Sequence, residues 1–264
     1  MPRLVGVLHL PPLPGSPRAR EPVAAIARAA ARDARILHAA GYDHVIVENF
    51  GDAPFFKHDV PAVTIAAMTA CALAVREACP DLPLGLNVLR NDAAAALAIA
   101  VAVAAAAIRV NVLSGARVTD QGLIEGRAAE LLRLRHNFGA EHIQIWADVA
   151  VKHSAPLAER DLADETKDLV QRASADVVLV TGAGTGEAVD PTRLVTVRNA
   201  AGRAPVLVAS GATIPALPEL LKLCDGVIVG SALRADGRAG GPIDETAAIH
   251  FAEAFRSARP AANH

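Results

Sequence analysis

The sequence predicts a single α/β domain folded as a closed (β/α)8 barrel, the TIM-barrel architecture. The chain has 264 residues, which is near the length of about 250 typical of a complete barrel. Eight short β-branched runs alternate with alanine-rich segments of helical spacing, a pattern that favours a parallel sheet covered by helices. Proline and glycine occur singly at the ends of these segments. With no linker, one domain is expected over residues 1–264.

The predicted strands share a run of four or five mostly apolar residues, which is typical of strands buried on both faces. In chain order they are 4–8, 44–47, 84–88, 108–112, 142–146, 176–180, 205–208 and 226–229. Helical spacing is clearest at 23–40, 63–79, 125–138 and 162–173. An open, doubly wound sheet has the same alternation, and the count of eight favours the closed barrel over it.

The charge and aromatic content indicate a protein that handles small molecules. There are 26 basic and 28 acidic residues, giving a formal charge of −2. The basic residues are dispersed and form no run that would follow a phosphate backbone. One Trp, one Tyr and six Phe are too few for rows of base-stacking platforms. Nucleic-acid binding is therefore not expected.

The cysteines and the N-terminus predict a cytoplasmic protein. Cys71, Cys79 and Cys224 form no metal-binding spacing, and an odd number argues against a disulfide framework. The chain enters an apolar strand at once, without the apolar core and cleavage site of a signal peptide. The longest uncharged run, 93–108, is shorter than the roughly 20 residues that cross a membrane. We expect a buried helix there and no transmembrane segment.

Polar residues at the C-terminal ends of the strands are the candidate catalytic groups, because these ends face the reaction site of a barrel. Glu48 is a base or a metal ligand with a flexible loop beyond it, or a carboxylate that holds this loop. Asp148, Lys152 and His153 form the densest ionisable cluster at any strand end. Their pKa values are open to tuning for proton transfer, and a salt bridge beside a solvated histidine is the alternative. His9 opens a loop stiffened by three prolines, which can hold a catalytic imidazole still; a hydrogen-bonded rim histidine without a catalytic role is the alternative.

Neutral and basic residues at the same strand ends are the candidate substrate-binding groups. Asn87 and Asn111 end neighbouring strands, where their amides can orient hydroxyl groups without adding charge. Either asparagine can instead cap the helix that follows. Arg90 follows Asn87 closely, and Thr181 and Gly182 follow the sixth strand. The glycine-rich segment 182–186 matches neither a dinucleotide fingerprint nor a P-loop, so we interpret it as a loop beside the ligand.

The last two strands end in small-residue turns that predict a phosphate site. These turns are Ser210-Gly211-Ala212 and Gly230-Ser231. Many barrels bind phosphate at these positions through backbone N–H groups. Plain tight turns are the alternative. The expected fold is therefore a phosphate-binding TIM barrel.

Several of these segments together resemble the BtpA/SgcQ family, and the resemblance runs through nearly the whole chain. Ala209 stands where a glycine is expected. The family implies a phosphate-binding TIM barrel, and its two names come from photosystem I biogenesis and from a sugar-related context. The segments are 9–15 (HLPPLPG), 48–55 (ENFGDAPF), 87–92 (NVLRND), 118–124 (VTDQGLI) and 148–153 (DVAVKH), with the Thr181-Gly182 turn and the two late glycine turns.

Two functions follow as hypotheses. The first is an enzyme acting on a small phosphorylated sugar or nucleoside-like compound by isomerisation, carbon–carbon cleavage or glycosyl-bond chemistry. Glu48 and Asp148 would move protons, and Lys152 would alternatively form a Schiff base. The second is a non-catalytic assembly factor for a photosystem-type membrane complex. No cofactor is certain; a divalent metal at Glu48, Asp148 and His153 and a homo-oligomer are left open.

The sequence also predicts that Asp148 affects turnover more than folding, since it ends a strongly apolar strand with Lys152 and His153 close behind it.

Overall fold

A computed structural model describes residues 3–182 and 188–258, and its strands and helices alternate along the chain. The elements are β1 (Arg3–His9), α1 (Val23–Ala40), β2 (His44–Glu48), α2 (Ala62–Ala78), β3 (Leu84–Asn87), α3 (Ala93–Ala102), β4 (Ala107–Val110), β5 (Ala116–Thr119), β6 (Gly122–Glu125), α4 (Ala128–Asn137), β7 (Gln144–Val149), β8 (Ala155–Pro156), α5 (Leu162–Lys167), β9 (Val177–Val180), α6 (Pro191–Ala200), β10 (Val206–Val208), α7 (Leu217–Leu220), β11 (Gly226–Val229) and α8 (Glu245–Ala258). One π-helical turn, Asp168–Arg172, extends α5.

Within the described residues, eight parallel strands form a closed barrel. Their order is β1, β2, β3, β4, β7, β9, β10 and β11, and β11 pairs with β1 to close the ring. Each strand matches one of the eight apolar runs to within two residues, apart from the C-terminal end of the fifth, which continues to Val149. The predicted barrel is confirmed, and the open sheet is wrong.

A second, smaller sheet lies outside the barrel and was not expected from the sequence. Its three antiparallel strands have the order β6, β5, β8. Two of them fall between β4 and α4, where Ala116 pairs with Glu125. Because Glu125 belongs to β6, helix α4 begins at Ala128 and not at 125 as predicted.

The alanine-rich run 93–108 is only partly helical. Helix α3 ends at Ala102, and the run finishes in β4, which begins at Ala107. The predicted buried helix is therefore right for the first ten residues and wrong for the rest. In the part of the chain that the structure describes, no helix is long and apolar enough to span a membrane.

The barrel interior follows from the two-residue period of a β-strand. One apolar cluster fills the space between strands and helices, and another fills the interior with residues such as Val5, Ile46 and Trp146. By the same alternation, the side chain of His9 points inward like that of Val5 in β1, and the side chain of Glu48 points inward like that of Ile46 in β2. Register supports this placement, since His9 pairs with Glu48 and Glu48 pairs with Asn87.

The loop that follows Glu48 is closely packed, and the expectation of a flexible loop is wrong. Asn49 is 1% exposed, and its side chain accepts from Leu89 N at 2.7 Å and donates to Asp52 at 3.1 Å. A Cβ on Gly51 would lie 2.3 Å from the backbone nitrogen of Pro12. The loops after β1 and β2 therefore support each other at the rim of the barrel.

Candidate active site

The C-terminal ends of the strands surround a cavity of about 260 Å³, which we call the main cavity. This volume suits a small ligand, since pockets for drug-sized molecules span roughly 300–1,000 Å³. Four predicted site residues, Asn87, Asp148, Thr181 and Gly182, are buried and are not among its lining residues. The predicted residues that line it are His9, Glu48, Arg90, Asn111, Lys152, His153, Ser210, Gly211, Ala212, Gly230 and Ser231.

Glu48 is positioned by Asn87 and faces His9. The Asn87 amide donates to Glu48 Oε2 at 2.7 Å, while Glu48 Oε1 lies 3.8 Å from His9 Nε2. The side chains of Glu48 and His9 are 9% and 7% exposed. One carboxylate oxygen is thus held by the protein, and the other is directed at the imidazole.

His9 is a neutral imidazole with a defined tautomer. The backbone N–H of Gly240 donates to His9 Nδ1 at 3.0 Å, so Nδ1 is the acceptor and Nε2 carries the proton. Burial lowers the pKa of His9 well below 6.5, and the cationic side chains of Arg234, Lys152 and Arg109 lower it further. His9 therefore presents an N–H donor toward Glu48 at neutral pH.

Asp148 forms a fully buried ion pair that the sequence interpretation missed. Arg109 donates to both of its carboxylate oxygens at 3.0 Å, and Asn111 Nδ2 donates to Oδ2 at 2.9 Å. The side chains of Arg109 and Asp148 are 6% and 0% exposed. The partner of Asp148 is thus Arg109 in the preceding barrel strand, and not the neighbouring Lys152 or His153.

The sequence contains two features that indicate a role for Arg109 inside the barrel. It is the one charged residue of β4, and it precedes Asn111 by two positions, so both side chains point to the same face of the strand. An arginine in the interior of a barrel requires a counter-charge. The position rule for barrel sites selects strand ends, whereas Arg109 lies inside its strand.

The helix-capping alternative for the two asparagines is wrong. Their amides bond to carboxylates on neighbouring barrel strands, and α3 is capped by Asp92, which accepts from Ala95 N. In Asn111 the contact to Asp148 fixes Nδ2 as the donor, because a carboxylate accepts only. The other amide atom, Asn111 Oδ1, is buried without a hydrogen-bond partner.

Lys152 brings an ammonium group to the main cavity. Its backbone is held by Thr181, whose hydroxyl accepts from Lys152 N at 3.1 Å, and by Arg90, which donates to Lys152 O at 2.8 Å. No hydrogen bond or ion pair of Lys152 Nζ is seen among the described residues. Burial lowers the pKa of Lys152, and the charge of Arg109 lowers it further. His153 is exposed at the rim.

The two glycine turns lie on one side of the main cavity. Gly211 has a φ of 75°, a left-handed conformation that favours glycine. A Cβ on Gly230 would lie 3.1 Å from His9 Cε1, so this turn approaches the imidazole closely. Segment 183–187 of the predicted ligand loop lies outside the described residues.

Arg234 holds the last turn by hydrogen bonds to backbone carbonyl groups, and the sequence interpretation did not include it. It donates to Gly230 O at 2.6 Å, to Val7 O at 3.1 Å and to Gly240 O at 3.2 Å. Burial lowers its pKa to about 10. Arg234 thereby holds the loop whose Gly240 N–H bonds to His9.

No group of three or more His, Cys, Asp or Glu side chains is arranged to hold a metal ion in the ranges 3–182 and 188–258. The three residues expected for a metal have different surroundings. Glu48 accepts a hydrogen bond from Asn87, Asp148 is paired with Arg109, and His153 is exposed. The described geometry gives no metal centre at these residues.

Comparisons with known proteins agree with the architecture. Phosphoribosyl anthranilate isomerase from Thermus thermophilus matches 97% of this chain and 100% of its own, with a TM-score of 0.59 and 15% identity. The tryptophan synthase alpha chain from Legionella pneumophila matches 97% and 91% of the two chains, with a TM-score of 0.57 and 12% identity. At such identities these matches show the fold.

Other proteins have a much higher sequence identity to this chain than these structures do. A protein of Thermococcus kodakarensis is 45% identical over 89% of this chain and 88% of its own length. The photosystem I biogenesis protein BtpA of Synechocystis is 42% identical over 96% of this chain and 87% of its own. The model of the BtpA family matches residues 2–257. The chain belongs to the BtpA family.

Proposed function

We propose that the protein is an enzyme that transfers a proton on a small phosphorylated sugar bound in the main cavity. One observation carries the proposal: Glu48, His9, Lys152 and both glycine turns line the same cavity. A titratable carboxylate with one oxygen directed into a concave site is a typical acid–base group. Isomerisation, carbon–carbon cleavage and glycosyl-bond chemistry all include such a proton transfer.

The charges around the main cavity favour an anionic ligand. Among its described lining residues, Arg90, Arg109 and Lys152 are cations and Glu48 is the carboxylate. Asp148 neutralises Arg109 by the buried ion pair. A bound phosphate would compensate the remaining positive charge of Lys152 and Arg90. It would accept hydrogen bonds from Lys152 Nζ and from backbone N–H groups of the two turns.

Glu48 and His9 are suited to different parts of the reaction. The Glu48 carboxylate would remove a proton from the sugar and return it at a neighbouring atom. His9, neutral with its proton on Nε2, would donate a hydrogen bond to an oxygen on which negative charge develops. Asn87 acts on the sugar through Glu48, because its amide fixes the carboxylate.

Asp148 has a positioning role in this proposal. Three hydrogen bonds from Arg109 and Asn111 occupy its two oxygens. Its effect on a ligand would pass through these two partners, which both line the main cavity. We therefore assign the proton transfer to Glu48 alone.

The names of proteins with this fold support a phosphorylated substrate. Phosphoribosyl anthranilate isomerase is named for a phosphorylated sugar. The name of the Synechocystis relative instead supports a role in biogenesis of a photosystem. A scaffold function would not depend on the ionisable group of Glu48, whereas the proposed enzyme would. Replacement of this residue by Gln therefore distinguishes the two functions.

Thermal denaturation with a panel of pentose and hexose phosphates tests ligand binding. A phosphorylated sugar at about 100 times its Kd should stabilise the protein by about 2.7 kcal/mol, which is roughly 5–10 °C in Tm for a chain of this size. The parent sugars without phosphate should give a much smaller shift. Lys152→Met should remove most of the shift, because it removes the ammonium group that lines the main cavity together with the two turns.

Lys167→Met is the matched control, since Lys167 lies on the exposed face of α5 and pairs with Asp164. It should keep the full shift. If no phosphorylated sugar raises Tm, or if Lys152→Met responds like the parent protein, the proposed phosphate site is wrong.

A further inference from the structure

A second cavity of about 180 Å³ lies beside the main cavity. Its walls come from the end of β7, the segment after β4, strands β5 and β8, and helix α5. The lining residues that matter for the argument are Asn111, Val112, Arg117, Val149, Glu165 and Leu169. The small antiparallel sheet, which lies outside the barrel, thus forms one wall of a space that begins at the barrel rim.

Asn111 is common to the linings of both cavities. Its side chain is locked by the hydrogen bond from Nδ2 to Asp148 at 2.9 Å. Asn111 is 3% exposed, and its Oδ1 has no partner. A buried acceptor without a donor costs free energy. A ligand that spans the two cavities would supply that donor as it passes Asn111.

The walls of the second cavity combine apolar surface with one polar edge. Val112, Val149 and Leu169 are each 3% exposed and supply flat aliphatic contact. At the edge, Arg117 and Glu165 form an ion pair at 3.5 Å, and their side chains are 11% and 16% exposed. Arg117 supplies donors and Glu165 supplies acceptors. An apolar cavity of about 150 Å³ is large enough for a benzene ring.

We propose that the second cavity binds a planar N-heterocycle that is joined to the phosphorylated sugar in the main cavity. The substrate is then an N-glycoside whose ring packs against the aliphatic wall. Ring N–H and carbonyl groups bond to Glu165 and Arg117, and a donor near the glycosidic junction bonds to Asn111 Oδ1. This inference rests on the proposed function, because it takes the position of the sugar from the main cavity.

Isothermal titration with ribose 5-phosphate and with the four common nucleoside 5′-monophosphates tests the inference. At least one monophosphate should bind about tenfold or more tightly than ribose 5-phosphate. Arg117→Trp places an indole at the polar edge of the second cavity and removes the proposed donors, because the Arg117 side chain lies on the cavity face of β5 and pairs with Glu165. This variant should reduce the advantage of the monophosphate to less than about threefold and leave the Kd of ribose 5-phosphate within about twofold.

Val118→Trp is the matched control. Val118 lies on the same strand, is 44% exposed and is not among the lining residues of either cavity. It should change neither affinity, which shows that a large side chain on β5 does not by itself disturb the protein.

The outcomes separate the two proposals. If ribose 5-phosphate binds and no monophosphate binds more tightly, the second cavity does not take a ring, and the proposed function stands. The same conclusion follows if Arg117→Trp weakens both ligands equally in a folded protein. If neither class binds, the inference fails, and the thermal-shift panel of sugar phosphates decides separately whether the proposed function stands.

Discussion

Replacement of Asp148 by Asn is expected to destabilise the protein by about 3–5 kcal/mol, the usual cost of breaking a buried ion pair by removing one partner. Arg109 would keep its charge at a site with 6% side-chain exposure, and its bidentate contact would lose the carboxylate. Urea unfolding, followed by circular dichroism, measures this change. The sequence predicts that Asp148 affects turnover more than folding, whereas the buried pair predicts a large effect on folding, and this measurement distinguishes the two.

A double variant separates the charge effect from a general packing defect. Arg109→Met with Asp148→Leu removes both charges, and similar replacements of buried pairs are often neutral or stabilising. We expect it to recover at least about half of the loss, with Asn111 left short of an acceptor. Glu219→Gln, which breaks an exposed pair with Lys222, should have no resolvable effect. A fully stable Asp148→Asn protein would contradict the assignment.

Replacement of Glu48 by Gln should lower kcat by about 100-fold or more, the common scale for a positioned acid–base group. Gln keeps the shape and an oxygen that accepts from Asn87, and it cannot take up the proton. Binding should change little, because the phosphate contacts are made elsewhere. The measurement is steady-state turnover of the phosphorylated sugar found by thermal shift.

Glu125→Gln on β6 is the control for this experiment, since Glu125 is exposed and is not among the residues that line the main cavity. It should turn over substrate normally. Normal turnover in folded Glu48→Gln would remove Glu48 from the mechanism and favour Lys152 as a Schiff-base nucleophile. Borohydride reduction in the presence of the sugar phosphate would trap a Schiff base on Lys152.

The barrel was predictable because each of its strands is a mostly apolar run. A strand covered on both faces is nearly apolar throughout, and such runs appear in the sequence as short β-branched blocks. Strands β5 and β6 carry no such block: Arg117 and Thr119 alternate with apolar residues, and Leu123 is exposed. Their pairing depends on the turn between them and on packing against the barrel, which the local pattern does not contain.

The candidate site was predictable where function follows from position along a strand. His9 and Glu48 end their strands and Asn111 directly follows β4, and all three line the main cavity. Arg109 and Arg234 escaped notice because their roles depend on partners that are distant in the sequence: Asp148 is 39 residues from Arg109, and Val7 is 227 residues from Arg234. Such pairs become visible only when the barrel brings the strands together.

A crystal structure of the Glu48→Gln protein with a bound sugar phosphate tests the central claim most directly. The phosphate oxygens should lie about 3 Å from backbone nitrogens of the turns at Ser210–Ala212 and Gly230–Ser231 and from Lys152 Nζ, with the sugar between His9 and Gln at position 48. A phosphate bound at another surface, or a sugar that lies away from position 48, would contradict the account.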